Sequence, residues 1–318
     1  MNRVGEGGQG ESTWLGFFLH VVLTRFAPIC DGRGEKARAA RFRQEADRLA
    51  QKLELAWDGE WFRRGYYDDG TPLGSAQNDE CRIDAISQSW AVLSGAVPRR
   101  FAELAMDAVR ARLVRRGSNV LPLLDPPFDR SAQEPGYIKA YPPGVRENGG
   151  QYTHAALWTV MAFAALGAGD EAGELLHMLN PVNRSRSADG ARRYKLEPFV
   201  VAGDVYSRAP HDGRGGWSWY TGSSGWFFRT GLEHLLGVRR RGDTLEIAPC
   251  VPTTWPGFEV RWRFGRSLYV ITVQNPQRRS RGVASATLDG TPVSAGAVPI
   301  ADDGLEHRVE VVLGDARR

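Results

Sequence analysis

Apolar residues recur every three or four positions up to about residue 236 and every second position beyond it. Trp14, Leu15, Phe18 and Val22 open one stripe, Phe42, Ala46, Leu49, Leu53 and Ala56 a second, Ile83, Ile86, Trp90 and Leu93 a third, and Phe101, Leu104, Ala105 and Ala108 a fourth. Two more run through Ala155, Trp158, Met161, Ala162 and Ala165 and through Trp226, Phe227, Thr230 and Leu235. This spacing predicts amphipathic helices, the first starting near Glu11 or Ser12 after a glycine-rich stretch. From Leu245 the pattern becomes that of half-buried strands: Leu245/Ile247, Phe258/Val260/Trp262/Phe264 and His307/Val309/Val311/Leu313 alternate with polar neighbours. The denser run 268–273 predicts a central strand, and Asp289-Gly290 a two-residue hairpin turn. The expected fold is therefore mainly α with a β tail, a helical domain over 1–236 and a small antiparallel β domain over 237–318.

Two connections, 117–150 and 180–220, are too long for a simple helical bundle. They carry Trp, Tyr, Gly and Pro, which predicts ordered, site-forming loops rather than disorder. Arginines are scattered along the whole chain and the net charge is only +4, which points to a small anionic ligand and away from nucleic acid. Three widely spaced cysteines, Cys30, Cys81 and Cys250, offer no disulfide or metal pattern and fit a reducing compartment. The apolar run Trp14–Leu23 is about half the length of a transmembrane helix, and Glu6 and Glu11 ahead of it do not suit a signal peptide, so no membrane segment is expected. No HExxH or CxxC spacing is present, and Asp68-Asp69-Gly70 lacks the later ligands of a calcium loop and reads as a turn. No metal or cofactor is expected, and His20, His177, His234 and His307 receive no role. Ten tryptophans fit either core filling or stacking on sugar rings, and position must decide between them.

Four ordered segments carry more information: GEGGQGESTWLGFFL at 5–19, GEWFRRGYYDDGTPLGSAQNDECRIDAISQSWAVLSG at 59–95, GYIKAYPPGVRENGGQYTHAALW at 136–158, and EPFVVAGDVYS with GRGGWSWYTGSSGWFFR across 197–229. With PCVPTTWPGFEV at 249–260, they resemble the catalytic domain of glycoside hydrolase family 94, the cellobiose and chitobiose phosphorylase type, and within it the phosphorylase-like C-terminal region of cyclic β-1,2-glucan synthases. The resemblance implies part of an (α/α)6 barrel followed by a small β-sandwich-like domain. It also implies inverting phosphorolysis of a β-glucoside, with a β-glucan oligosaccharide and inorganic phosphate as partners and an α-sugar 1-phosphate as product. A phosphorylase needs no carboxylate to activate water, because phosphate is already an anionic nucleophile; it needs an anion site.

On this resemblance, His154, Thr221 and Gly222 match the phosphate-binding positions. An imidazole and a hydroxyl can donate to an oxyanion, and Thr221-Gly222 falls at the expected start of a 222–236 helix, whose free N–H groups favour an anion. A packing histidine and a plain N-cap are the ordinary alternatives for His154 and Thr221. Glu147, Asn148 and Gln151 are candidates for sugar hydroxyls, with surface solvation as the alternative, and Trp219 and Tyr220, in a glycine-flanked loop with Trp217, are candidates for stacking. The polar cluster Asp79, Glu80, Arg82 and Gln88 reads as a solvated helix start. The family's catalytic acid is expected upstream of Met1, with the first barrel helices, so the resemblance implies an isolated chain of low activity. A truncated reading frame, a split enzyme completed by an upstream chain or a second copy, and a decayed remnant are the explanations weighed; Glu11 or Asp79 as a substitute acid has no support in the spacing. A non-catalytic glycan-binding partner and a hydrolase on the same barrel are the alternative functions. The family implies a cytoplasmic location.

Overall fold

The computed structural model describes residues 1–219 and 221–315. Two compact units emerge: Met1–Ala162 with Met178–Ser224, and Phe163–His177 with Gly225–Arg318. The strand-bearing unit thus also takes in 163–177 and 225–236, which the periodicity grouped with the helices.

The first unit holds α1 (Thr13–Gly32), α2 (Lys36–Glu54), α3 (Ala85–Ser94) and α4 (Arg99–Arg112). Helix α1 starts where the sequence predicts, with the Ser12 hydroxyl accepting from the Leu15 N–H at 3.4 Å. Asp84 caps α3 through the N–H of Ile86 at 2.8 Å, and Gly95, at φ 64°, ends it in the left-handed conformation that glycine adopts without strain. Phe17, Leu53, Ala56, Phe62, Ala91, Ala102 and Ala105 form one buried cluster across the four helices.

Two expectations about these helices change. In α1 the buried apolar residues are Phe17, Leu23, Ala27 and Cys30, whereas of the stripe read from the sequence Trp14 is half-buried and Leu15, Phe18 and Val22 are exposed, with Leu19, Phe26 and Ile29. The helix is apolar on both faces, so periodicity alone could not choose the packed one. It also continues through Pro28 to 20 residues, twice the apolar run seen in the sequence, and is long and apolar enough to cross a membrane by length and composition. Helix α5 (Thr153–Leu166) is buried almost all round rather than amphipathic.

The long connections are ordered, as expected. They contain a 3-10 turn at Tyr137–Ala140 and the short helices α7 (Pro181–Arg184) and α8 (Ala188–Tyr194), the latter following α6 (Gly169–Leu179) and α7 in the chain. Two-residue strands tie the first unit together, two of them within these connections. β1 (Glu11–Ser12), β2 (Gly65–Tyr66) and β3 (Pro72–Leu73) form one small sheet, β4 (Ile83–Asp84) pairs with β5 (Leu124–Asp125), and β6 (Gln151–Tyr152) pairs with β7 (Asp204–Val205). β1, β4 and β6 run directly into α1, α3 and α5, so each of these helices starts from a backbone ladder.

In the second unit, helix α9 (Thr221–Arg229), which straddles the division, gives way to a π-helical turn at Thr230–Leu235 and then to strands. β8 (Val238–Arg241) and β9 (Thr244–Ile247) form a hairpin that β14 (Val298–Pro299) extends. β10 (Gly257–Phe264), β11 (Ser267–Gln274), β12 (Val283–Leu288), β13 (Thr291–Pro292) and β15 (Glu306–Leu313) form a five-stranded sheet in the order β10-β11-β15-β12-β13. Leu245, Ile247 and Val298 from one sheet and Tyr269, Ile271, Val309 and Val311 from the other share one buried core, a sandwich-like packing. Asp289-Gly290 makes the expected turn, both residues at positive φ, with Leu288 opposite Thr291. The antiparallel expectation needs correction: β15 lies parallel to β11, with Ile271 opposite Val309. Residues 275–305 make the long crossover that a parallel pair requires, and side-chain alternation carries no information on strand direction.

Candidate active site

The ladders ahead of the helices gather polar residues. The start of α5 is laced to two other segments: β6 pairs with β7, the Thr153 N–H donates to the Gly203 carbonyl at 3.0 Å, and the Gly203 N–H donates to the Trp217 carbonyl at 2.7 Å. Val205 bridges Gly215 on the same side. Segments 151–153, 203–205 and 215–217 therefore run side by side at strand spacing. The third leads into α9, so the lace ties the loop before Thr221 to the helix start carrying His154.

His154 is the second residue of α5, half-buried, its ring 4.4 Å from that of Trp158 in an edge-on contact. Burial lowers its pKa, which favours the neutral imidazole in the free protein. Trp158 in turn meets Trp90 at 5.2 Å and Trp14 at 6.1 Å, so α1, α3 and α5 share an aromatic cluster near their starts. Thr221 and Gly222 open α9, both exposed, and a Cβ built on Gly222 would meet nothing within 4 Å. The first N–H groups of a helix have no partner within it, and Gly222 lies in the first turn of α9. Tyr220 lies outside the described residues.

Asp204, which the sequence reading passed over, holds the lace. Its buried carboxylate accepts from the N–H of Trp217 at 2.9 Å and of Arg146 at 3.2 Å, and a Cβ on Gly216 would fall 2.4 Å from Oδ1. Burial, opposed by these hydrogen bonds, raises its pKa. Arg146 sits at φ 50° with its guanidinium 5.3 Å from the Tyr141 ring and 5.1 Å from the Trp217 ring. Its Nε lies 3.5 Å from Glu147 Oε2. Trp219 is 67% exposed at φ 62°, and its indole N–H donates to Glu197 at 2.9 Å. An indole exposed and pinned in this way is not part of the core.

Two of the sugar-binding candidates are placed differently from the sequence expectation. Asn148 is 0% exposed; its amide accepts from the Phe128 N–H at 2.7 Å and donates to the carbonyls of Phe128 and Tyr141, both at 2.8 Å. Gln151 is buried too, its Oε1 accepting from the Leu121 N–H at 3.2 Å and from Arg184 at 3.0 Å. Both amides are committed to the loop framework and present nothing to a ligand. A short polar residue in a glycine-rich loop looks solvent-facing in sequence, and only tertiary structure shows it as a buried clamp. Likewise Gln88, read as part of a solvated cluster, is buried against the backbone of Phe62 and Asp84, and Glu80 accepts the N–H groups of Asp129, Arg130 and Ser131. Near the start of α3, Asp84 lies 3.4 Å from Arg64, which also donates to Ser12 at 2.8 Å and joins the caps of α1 and α3. The three cysteines are free and buried.

A model of the glycosyl hydrolase 94 superfamily catalytic domain matches residues 1–237. The cyclic beta-(1,2)-glucan synthase NdvB of Rhizobium meliloti (strain 1021) is 50% identical over 286 residues, 90% of this chain and 10% of that protein. An N,N'-diacetylchitobiose phosphorylase of Vibrio proteolyticus is 33% identical over 96% of this chain and 38% of its own length, and a 3-O-beta-D-glucopyranosyl-beta-D-glucuronide phosphorylase of Paenibacillus borealis is 32% identical over 98% and 40%. The chain thus spans a tenth of the first and about two fifths of the other two. Among solved structures, a sialidase superposes with a TM-score of 0.55 over 79% of this chain and 22% of that one, at 13% identity, a likeness of fold alone.

Proposed function

From the premise that the chain belongs to the glycosyl hydrolase 94 superfamily, as part of its catalytic domain, we propose that it supplies the phosphate-holding half of a glycoside phosphorylase site. In this reading phosphate binds between the His154 imidazole, the Thr221 hydroxyl and the N–H of Gly222. One phosphate oxygen attacks the anomeric carbon of a β-glucoside from the face opposite the bond that breaks. The leaving oxygen takes a proton from a carboxylic acid, and α-glucose 1-phosphate results. The depressed pKa of His154 suits this role, because a neutral imidazole donates one N–H without a fixed charge, and the incoming dianion favours taking up a second proton. Glu147 and Trp219 face the sugar. The lace of 151–153, 203–205 and 215–217 carries the proposal, since it couples the His154 helix start to the loop before Thr221.

The acid is assigned to a segment outside this chain. Asp84 and Asp204, the buried carboxylates at these helix starts, already serve backbone N–H groups. The repeated ladder-then-helix starts of α1, α3 and α5 support an (α/α)6 barrel with its site at that end. The exposed apolar residues of α1 support a further helical layer, from an upstream chain or a second copy. The 50% identity to a cyclic β-1,2-glucan synthase favours β-1,2-linked glucose as substrate.

The test is to incubate β-1,2-gluco-oligosaccharides with the protein joined to its upstream segment, with and without phosphate, and to measure glucose 1-phosphate. Phosphate-dependent release that falls at least about tenfold in His154→Ala and Thr221→Ala is expected. Free sugar formed without phosphate would instead mean hydrolysis, and saturable binding with no product a glycan-binding role.

A further inference from the structure

A cavity of about 440 Å³ lies in the first unit, lined by Arg115, Gly117, Ser118, Arg193, Ala209, Pro210 and Asp212, none of which is used above. Its walls are built and cross-tied. One is the hairpin 115–120, closed by the N–H of Arg115 to the Val120 carbonyl at 2.9 Å and the reciprocal bond at 3.1 Å. The second is the ribbon 206–214, where the Tyr206 N–H donates to the Arg214 carbonyl and the Gly213 N–H to the Tyr206 carbonyl, both at 2.8 Å. Arg115 spans the two, donating to the Ser207 carbonyl at 3.1 Å while paired with Asp125 at 2.6 Å. Arg193 on α8 forms the third wall, packed so closely on Gly213 that a Cβ there would fall 2.7 Å from its Cδ. Beneath the hairpin, the buried guanidinium of Arg184 donates to the Asn119 carbonyl, with burial lowering its pKa to about 10.

The ribbon 206–214 is the outward continuation of the Val205–Gly215 bridge that belongs to the candidate active site. Five peptide steps separate Gly215 from Pro210, a reach of at most about 18 Å. The cavity is therefore within one extended oligosaccharide's length of the lace. Its lining alternates guanidinium donors with a hydroxyl and a carboxylate, and its apolar side chains are only Ala209 and Pro210. Asp212 Oδ1 is buried without a hydrogen-bond partner. Vicinal sugar hydroxyls, each donor and acceptor at once, fit such a mixed set, and the volume lies in the range of small-ligand sites. A carboxylate in the lining disfavours an anion.

We propose that this cavity is a distal subsite for the glucan chain, holding sugar units remote from the bond that is cleaved. The proposal rests on the glucan reading above. It is tested by titrating this chain with linear β-1,2-gluco-oligosaccharides of two and of about six units, by calorimetry, in the wild type and in Arg193→Ala and Ser118→Ala. The longer chain is expected to bind about tenfold more tightly than the shorter, and both variants, which keep the backbone hydrogen bonds of the hairpin and the ribbon and the Arg115 tie between them, are expected to erase most of that advantage. Equal affinity for the two lengths in the wild type, or an advantage that survives in both variants, overturns the subsite. So does competition in which inorganic phosphate alone abolishes the Arg193-dependent affinity, which marks an anion site. Binding of neither oligosaccharide overturns the glucan reading and the subsite with it. Length-dependent binding without phosphorolysis in the longer protein removes only the catalytic assignment.

Discussion

Asn148 offers a direct contrast between a residue that holds the site together and one that touches substrate. Its side-chain amide makes three hydrogen bonds in the interior, one accepted from the Phe128 N–H and two donated to the Phe128 and Tyr141 carbonyls, all between 2.7 and 2.8 Å. Asn148→Ala removes all three and leaves two carbonyls and an N–H in a pocket with no exposed surface. With each buried bond worth about 1 kcal/mol net and more where a partner stays dry, the expected loss is about 3–5 kcal/mol. Urea unfolding followed by tryptophan fluorescence reads it as a lower midpoint at unchanged slope. Asn148→Asp refines the test: it keeps the acceptor for Phe128 but sets an oxygen against two carbonyls and buries a charge. It is expected to be at least as damaging at neutral pH and to recover partly as acid protonates it, because burial and facing carbonyls raise the folded-state pKa. If Asn148→Ala unfolds at the wild-type midpoint and loses only glucan affinity, the framework role is refuted and the sugar-contact reading from sequence is restored.

Gly222→Ala meets no steric obstacle within the protein and places a better helix former in α9, so stability should hold or rise, by up to about 1 kcal/mol, while the added methyl crowds the approaching anion and raises KM for phosphate; an unchanged KM means the anion does not approach the backbone at Gly222. Gly216→Ala, by contrast, drives a methyl into the Asp204 carboxylate and should destabilise the lace, seen as a lower thermal midpoint. Trp219→Ala should leave the midpoint within about 0.5 kcal/mol, because the indole is largely exposed, yet weaken oligosaccharide binding severalfold by titration. His234 is held down to about 4 mainly by burial, with Arg239 adding to the shift. A histidine depressed in the folded state contributes fully above its unfolded value near 6.5 and loses that contribution as pH falls through 4, so acid should cost up to about 3 kcal/mol over that window and His234→Gln should flatten the loss.

Much of this was legible in the chain because it is written locally. Ser12 ahead of an apolar stripe marks a helix start whatever lies around it, and Asp289-Gly290 between alternating runs marks a tight turn. His154 and the Thr221-Gly222 pair stood out through the motifs that carry them. What the sequence concealed depends on distant partners. Nothing around Gly203-Asp204-Val205 announces that Asp204 will gather the N–H groups of Arg146 and Trp217. Asn148 and Gln151 read as candidates for sugar hydroxyls because burial is decided by segments as far away as Phe128 and Arg184. Leu15, Phe18 and Val22 of the stripe read on α1 turn out exposed because both faces are apolar, and only the neighbours of Phe17 and Ala27 distinguish them.

The place of β15 in its sheet bears on how this region is made rather than on what it binds. Its residues 306–313 separate β11 from β12, which therefore have no strand to close on until those residues leave the ribosome. During synthesis the β10–β11 hairpin waits with one long apolar edge bare for the time taken to translate some thirty further residues, a few seconds at ordinary elongation rates. Whatever keeps that edge from pairing with another nascent chain acts in that interval. A ribosome stalled before residue 306 should accordingly yield an aggregating β region, and one stalled well after residue 313 a folded one.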